Sequence, residues 1–183
     1  NYAICHAMNT KHAQITPTLS LPLAGGGNVV IRDMQSADIP AVSELAARIW
    51  RAHYVPDIVS AEQIEYMLPR VASREVFAEQ YADSNRKFWI IFSGQQPVGY
   101  MAVIKKPDGW FIDKLYVDNE LQRTGLGLAL LSHCMNTLKP EQLMLRVNRK
   151  NIKAINFYFK HGFSIDSLDV LDIGGGFVMD DFI

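Results

Sequence analysis

Apolar residues recur along this chain in two rhythms, and each change of rhythm marks a new element. In "SADIPAVSELAARIWRAHY", Ile39, Val42, Leu45, Ala46, Ile49 and Trp50 fall three or four residues apart, the spacing that gathers side chains on one face of an α-helix. Ser36 stands where a cap belongs, and Pro40 falls in the first turn, where its missing N–H is not needed. After a polar break at Pro56, "SAEQIEYMLPRVASREVFAEQYAD" repeats the helical rhythm. Pro69 predicts two short helices parted at that residue. "NVVIRDM", "GWFIDKLYV" and "QLMLRV" are apolar runs of strand type, and "KFWIIFSGQQPVGYMAVIKK" reads as two strands around a tight "SGQQ" turn.

A helix follows at "GLGLALLSHCMNTL" and is stopped by Pro140; another over "NIKAINFYFKHG" ends at Gly162, a C-cap residue. "FSIDSLDVLDI" and "FVMDDFI" flank Gly174 to Gly176 as a closing hairpin. Residues 1–27 show no period and read as an N-terminal arm or linker. Residues 28–183 read as one α/β domain, a mixed central sheet of about seven strands flanked by about four helices.

Composition narrows the function. Hydrophobic residues are 49% and charged residues 20%, with net charge −1, ordinary values for a globular protein. Without a basic excess, a nucleic-acid surface is not expected. No apolar run approaches the length of a membrane span, and no signal-peptide pattern opens the chain. Cys5 and Cys134 show neither metal nor disulfide spacing, and the five histidines show no metal spacing. The cytoplasm is the expected compartment.

Gly125 and Gly127 sit at the mouth of a helix, after a strand ending "LYV". First-turn amides lack partners and carry the positive end of the helix dipole, and glycine lets an anion reach them. The competing explanation is close packing of that helix on the sheet. A phosphate loop of the G-x-x-x-x-G-K-[ST] type is excluded, since no lysine follows Gly127; a dinucleotide fingerprint is excluded because Leu130 fills its third glycine position. In the next helix Asn151, Ala154 and Tyr158 are spaced to share one face, with Asn151 equally able to serve as an N-cap. Cys134, with Leu131 and Leu138, fits a buried face as a packed thiol.

These motifs resemble the GNAT superfamily of N-acetyltransferases. "LQRTGLGLALL" is similar to its pyrophosphate loop, [RQ]-x-x-G-x-[GA], with Gln122, Gly125 and Gly127 in the fixed positions. "IDKLYVDNEL" is similar to its central strand, and "RVNRKNIKAINFYFKHGF" resembles a second signature filled by Asn151, Ala154, Tyr158, Lys160, Gly162 and Phe163. The resemblance covers residues 28–183. It implies that acetyl-CoA wedges between the strands carrying "LYV" and "LRV". Leu115, Tyr116 and Val117 would then meet the pantetheine arm. Gln122, Arg123, Thr124, Gly125, Leu126, Gly127 and Leu128 would hold the pyrophosphate, and Asn151 and Ala154 would line the arm.

The implied reaction moves an acetyl group from acetyl-CoA to a primary amine of a small molecule or peptide, with no metal. An alkylammonium of pKa about 10.4 must first lose a proton, which calls for a base or a water chain. The resemblance makes Tyr158 the acid that protonates the leaving thiolate. Asp113 is the candidate base; its alternative is an ion pair with Lys105 or Lys114. By strand alternation it shares a face with Phe111, Leu115 and Val117. Trp50, His53 and Tyr54 line the expected acceptor side. A GNAT-fold module that binds acyl-CoA without useful catalysis is the other reading, and a homodimer through the closing strands is compatible with the family.

Overall fold

Strands β3 (Arg86–Ser93) and β4 (Gln96–Lys106) are apolar along most of their length because helices cover both of their faces. Alternation then decides which side each residue serves. Trp89 and Ile91 pack in a core with Leu126, Leu130 and Cys134, while Phe88 and Ile90 pack in a second core with Val42, Leu45 and Phe77. The computed structural model describes residues 19–22, 28–121 and 124–183, the first four as backbone alone.

A six-stranded sheet runs in the order β1 (Leu19–Pro22), β2 (Asn28–Asp33), β3, β4, β5 (Gly109–Val117), β6 (Leu143–Leu145). Every neighbour pair is antiparallel except β5 with β6. Helices α1 (Ile39–Tyr54), α2 (Ala61–Val71) and α3 (Arg74–Ala82) cover one face, and α4 (Leu126–Leu138) covers the other. A second, three-stranded sheet has the order β7 (Val147–Asn148), β9 (Phe177–Phe182), β8 (Leu168–Gly174), with α5 (Ile152–Lys160) between β7 and β8 in the chain. No helix among the described residues is long and apolar enough to cross a membrane.

Several details depart from the sequence reading. Part of the N-terminal arm, Leu19–Pro22, pairs antiparallel with β2. Pro69 lies in the last turn of α2 and does not part the helices; the break falls at Ser73, whose hydroxyl accepts from the Val76 amide and starts α3. Ser36 opens a short 3₁₀ turn, and Asp38 precedes α1. "QLMLRV" is two strands in two sheets, so the single mixed sheet becomes two; with β1 added, the described residues hold nine strands against the seven expected. Among the described residues there are five α-helices, with α2 and α3 separate as expected.

Candidate active site

β5 and β6 pair through Trp110–Leu143, Phe111–Met144 and Ile112–Leu145 only. At Arg146 the chain turns away to the second sheet. Lys114 to Val117 therefore keep β4 on one side and, among the described residues, have no strand on the other, leaving backbone groups available to an extended ligand. A cavity of about 860 Å³ opens in this gap. Leu115, Tyr116 and Val117, Gly125 to Leu128, Asn151, Ala154 and Tyr158 all line it, as do Trp50, His53, Tyr54 and Asp113. Thr124 is turned away, its hydroxyl donating to the Leu121 carbonyl at 2.5 Å. Gln122 and Arg123 lie outside the described residues.

The two glycines have different reasons. Gly125 precedes α4 with φ 88°, a left-handed conformation that disfavours other residues. Gly127 is helical, and a Cβ there would meet only the Phe157 ring, at an ordinary 3.6 Å. Close packing on the sheet therefore does not require it, yet glycine costs a helix about 1 kcal/mol relative to alanine. What its small size leaves is an open face over the first-turn amides of Leu126, Gly127 and Leu128, an anion cradle at a helix start.

Tyr158 is fixed by ring contacts with Phe157 and Phe163, both at 5.3 Å between centroids. Its hydroxyl has no hydrogen-bond partner among the described residues. Burial pushes its pKa up, and Tyr54 adds to the shift, so the phenol keeps its proton at neutral pH. Asn151 starts α5: its Oδ1 accepts from the Ala154 amide at 3.2 Å. That bond orients the amide, so Nδ2 faces His53 Nε2 at 3.1 Å and donates to it. Nε2 must then be unprotonated. Burial lowers the His53 pKa in the same direction, Asn151 opposing and Lys153 adding.

The model of the GNAT acetyltransferase domain matches residues 55–177. A probable N-acetyltransferase of Mycobacterium tuberculosis is 31% identical over 76% of this chain and 82% of its own. The chain belongs to the GNAT acetyltransferase family. Escherichia coli YiaC, a peptidyl-lysine N-acetyltransferase, is 26% identical over 74% of this chain and 84% of its own. The fold matches the PaiA N-acetyltransferase of Thermoplasma acidophilum, solved in complex with coenzyme A, at TM-score 0.69 and 23% identity, over 84% of this chain and 96% of that one.

This GNAT acyltransferase holds its candidate base, Asp113, in a constrained place. Ala102 pairs with Lys114 and Val103 with Ile112, so Asp113 is the extra residue of a β-bulge. Trp110 and Ile112 before it, and Leu115 and Val117 after it, all serve the α4-side core, while Tyr116 serves the α1 side. Alternation counted through Asp113 therefore fails, and the face expected for it is not kept. Its Oδ2 meets Lys114 Nζ at 2.7 Å and an Arg86 nitrogen at 2.8 Å. Burial alone would raise its pKa, but the two cations outweigh that and hold the carboxyl below its ordinary value. A carboxylate so paired is a weak base.

The GNAT cavity has a second carboxylate that the sequence motifs did not single out. Asp181 of β9 lies in register with Asn148 of β7 and lines the cavity. It is 6% exposed, and its Oδ1 accepts no hydrogen bond from the described residues. Strand alternation was the available signal, because Phe177, Met179 and Asp181 share a parity. Trp50, Tyr54 and Tyr116 stack near these groups, and the Tyr54 and Tyr116 hydroxyls lie 3.3 Å apart. Among the described residues no group of His, Cys, Asp or Glu is placed to hold a metal.

Proposed function

We propose that this enzyme transfers an acetyl group from acetyl-CoA to the amine of a small molecule or peptide. Gly127 carries the reading: a helix-start glycine that packing does not require, beside strands that part where an extended ligand would enter. Acetyl-CoA supplies an acetyl thioester. The residues do the rest by position. First-turn amides at Leu126 to Leu128 bind the pyrophosphate charge, and the open edge at Leu115 to Val117 offers backbone groups to the pantetheine amides.

Tyr158, which lines the cavity, holds a proton on its hydroxyl and delivers it to the departing sulfur. Asn151, with Oδ1 and Nδ2 both engaged, sets the start of α5 and the tautomer of His53. Asp113 anchors Arg86 and Lys114. The amine acceptor has support from the relatives, since YiaC is a peptidyl-lysine N-acetyltransferase.

The test is calorimetric titration with acetyl-CoA and, separately, with ATP and NAD, followed by acetylation of a lysine-bearing peptide and an amine panel. Acetyl-CoA alone is expected to bind. Absence of acetyl-CoA binding, or equal binding of ATP, overturns the reading.

A further inference from the structure

The cavity contains one carboxylate with no cation of its own. The cation that acts on Asp181 is Arg146, which is itself ion-paired with Asp169. Its neighbour Asp180 pairs with Arg149 at 3.1 Å on the exposed side. Alternation thus separates a solvated, paired aspartate from a buried one whose Oδ1 is unpartnered among the described residues. Burying a carboxylate without partners is strongly unfavourable, and such a group in a native protein calls for a reason.

The neighbouring walls supply one. Trp50, Tyr54 and Met179 line the cavity with Asp181, and aromatic faces favour cations. An elongated alkyl chain ending in an ammonium would place its carbons on those side chains and its charge on the carboxylate.

Building on the acetyl-transfer reading, we infer that Asp181 receives the acceptor as a primary alkylammonium, of the lysine side-chain type, and takes its first proton. The N–H electron pair stays on nitrogen as that proton moves to Asp181. The nitrogen pair forms the new C–N bond to the acetyl carbon while the C–S bond breaks. The sulfur leaves with its electron pair and takes the Tyr158 proton. The second nitrogen proton restores Tyr158, Asp181 returns its own to water, and one proton is released per acetyl group transferred. Burial raises the Asp181 pKa, Arg146 opposes, and Asp169 and Asp180 add to the rise. Tyr54 faces it from α1 and is itself raised by burial. Asp181 is thus the better base of the two cavity aspartates.

The experiment compares the full chain with Asp181→Asn and Asp181→Glu, using acetyl-CoA and a peptide with one internal lysine. Asp181→Asn is expected to lose about 100-fold or more in kcat/KM for the peptide. It should keep wild-type acetyl-CoA affinity and unfold at no lower temperature, because it removes an unpaired buried charge. Asp181→Glu should regain part of the activity. Carbon-13 NMR of the free wild type, with the Asp181 carboxyl assigned by its loss in Asp181→Asn, should show titration above about 3.9.

Turnover of Asp181→Asn within about threefold of wild type overturns the assignment. So does a carboxyl that titrates at or below the ordinary value, or a variant that loses both fold stability and acetyl-CoA affinity. A wild type that binds acetyl-CoA but ignores the lysine peptide overturns the alkylammonium class. A wild type that fails to bind acetyl-CoA overturns the parent reading instead.

Discussion

At Tyr158 two demands pull against each other. Burial keeps the proton on the hydroxyl at neutral pH, as the proposed acid requires, but it also makes the phenol a weaker acid. In the proposed role the donor would work through position, with its hydroxyl unpartnered among the described residues and its ring fixed by Phe157 and Phe163. Tyr158→Phe keeps those contacts and removes only the proton. Its kcat is expected to fall about 100-fold while the acetyl-CoA dissociation constant stays within about twofold; unchanged turnover removes Tyr158 from the chemistry. Asp113 gives the opposite pattern. Its folded pKa is below the unfolded value of about 3.9. The ion pairs therefore stabilise fully above that pH, and the stabilisation is lost as pH falls through the folded value. Asp113→Asn leaves the largely buried Lys114 short of its counter-ion, at a cost of about 2 kcal/mol. Thermal unfolding at pH 7 should drop by about 4–8 °C, and the gap to wild type should narrow as pH falls below about 3.9. A constant gap across that range removes the linkage.

At the scale of elements, the start of α4 trades stability for an open face. Gly127→Ala adds a methyl group that meets only Phe157 at contact distance, so the free protein is expected to gain up to about 1 kcal/mol. The same methyl group stands over the amides proposed to hold pyrophosphate, and acetyl-CoA affinity should fall about tenfold or more. Measuring unfolding temperature and affinity on the one variant separates the two effects. A stabilised protein with wild-type affinity would return Gly127 to chance. The signatures made α4, α5 and their glycines legible, because helix period and caps are local properties of the chain. The bulge at Asp113 was not legible, since period 2 carries no mark of an extra residue until a partner strand is known. The division of "QLMLRV" was hidden for the same reason: Arg146 looks like any polar position in a strand, and only the competing pull of β9 on Val147 and Asn148 reveals the turn. Asp181 stayed hidden because one aspartate in a terminal strand belongs to no motif.

For the molecule as a whole, the proposed binding depends on the parting of the two sheets. Beyond the covalent link at Arg146, hydrogen bonds cross from the helical layer to the second sheet and α5. Gln63 Nε2 donates to the Val178 carbonyl at 3.3 Å, Tyr66 to the Ile173 carbonyl at 3.0 Å, and Asn151 to His53 at 3.1 Å. A ligand lying between β5 and α5 would add ties to both halves at once. At a hundred times its dissociation constant it stabilises by about 2.7 kcal/mol, which raises the unfolding temperature by about 5–10 °C for a chain of this size. Gly125→Glu puts a carboxylate at the cradle, where a Cβ meets no protein atom within 4 Å but the left-handed backbone is strained; measured from the variant's own unliganded unfolding temperature, it should abolish that rise. Hydrogen exchange locates the effect. Acetyl-CoA should slow exchange at Leu115 to Val117, at Leu126 to Leu128 and along α5 together, because one ligand restrains all three. Protection confined to the start of α4 would mean that only the phosphates are held and that the gap between the sheets is not where the acyl arm lies.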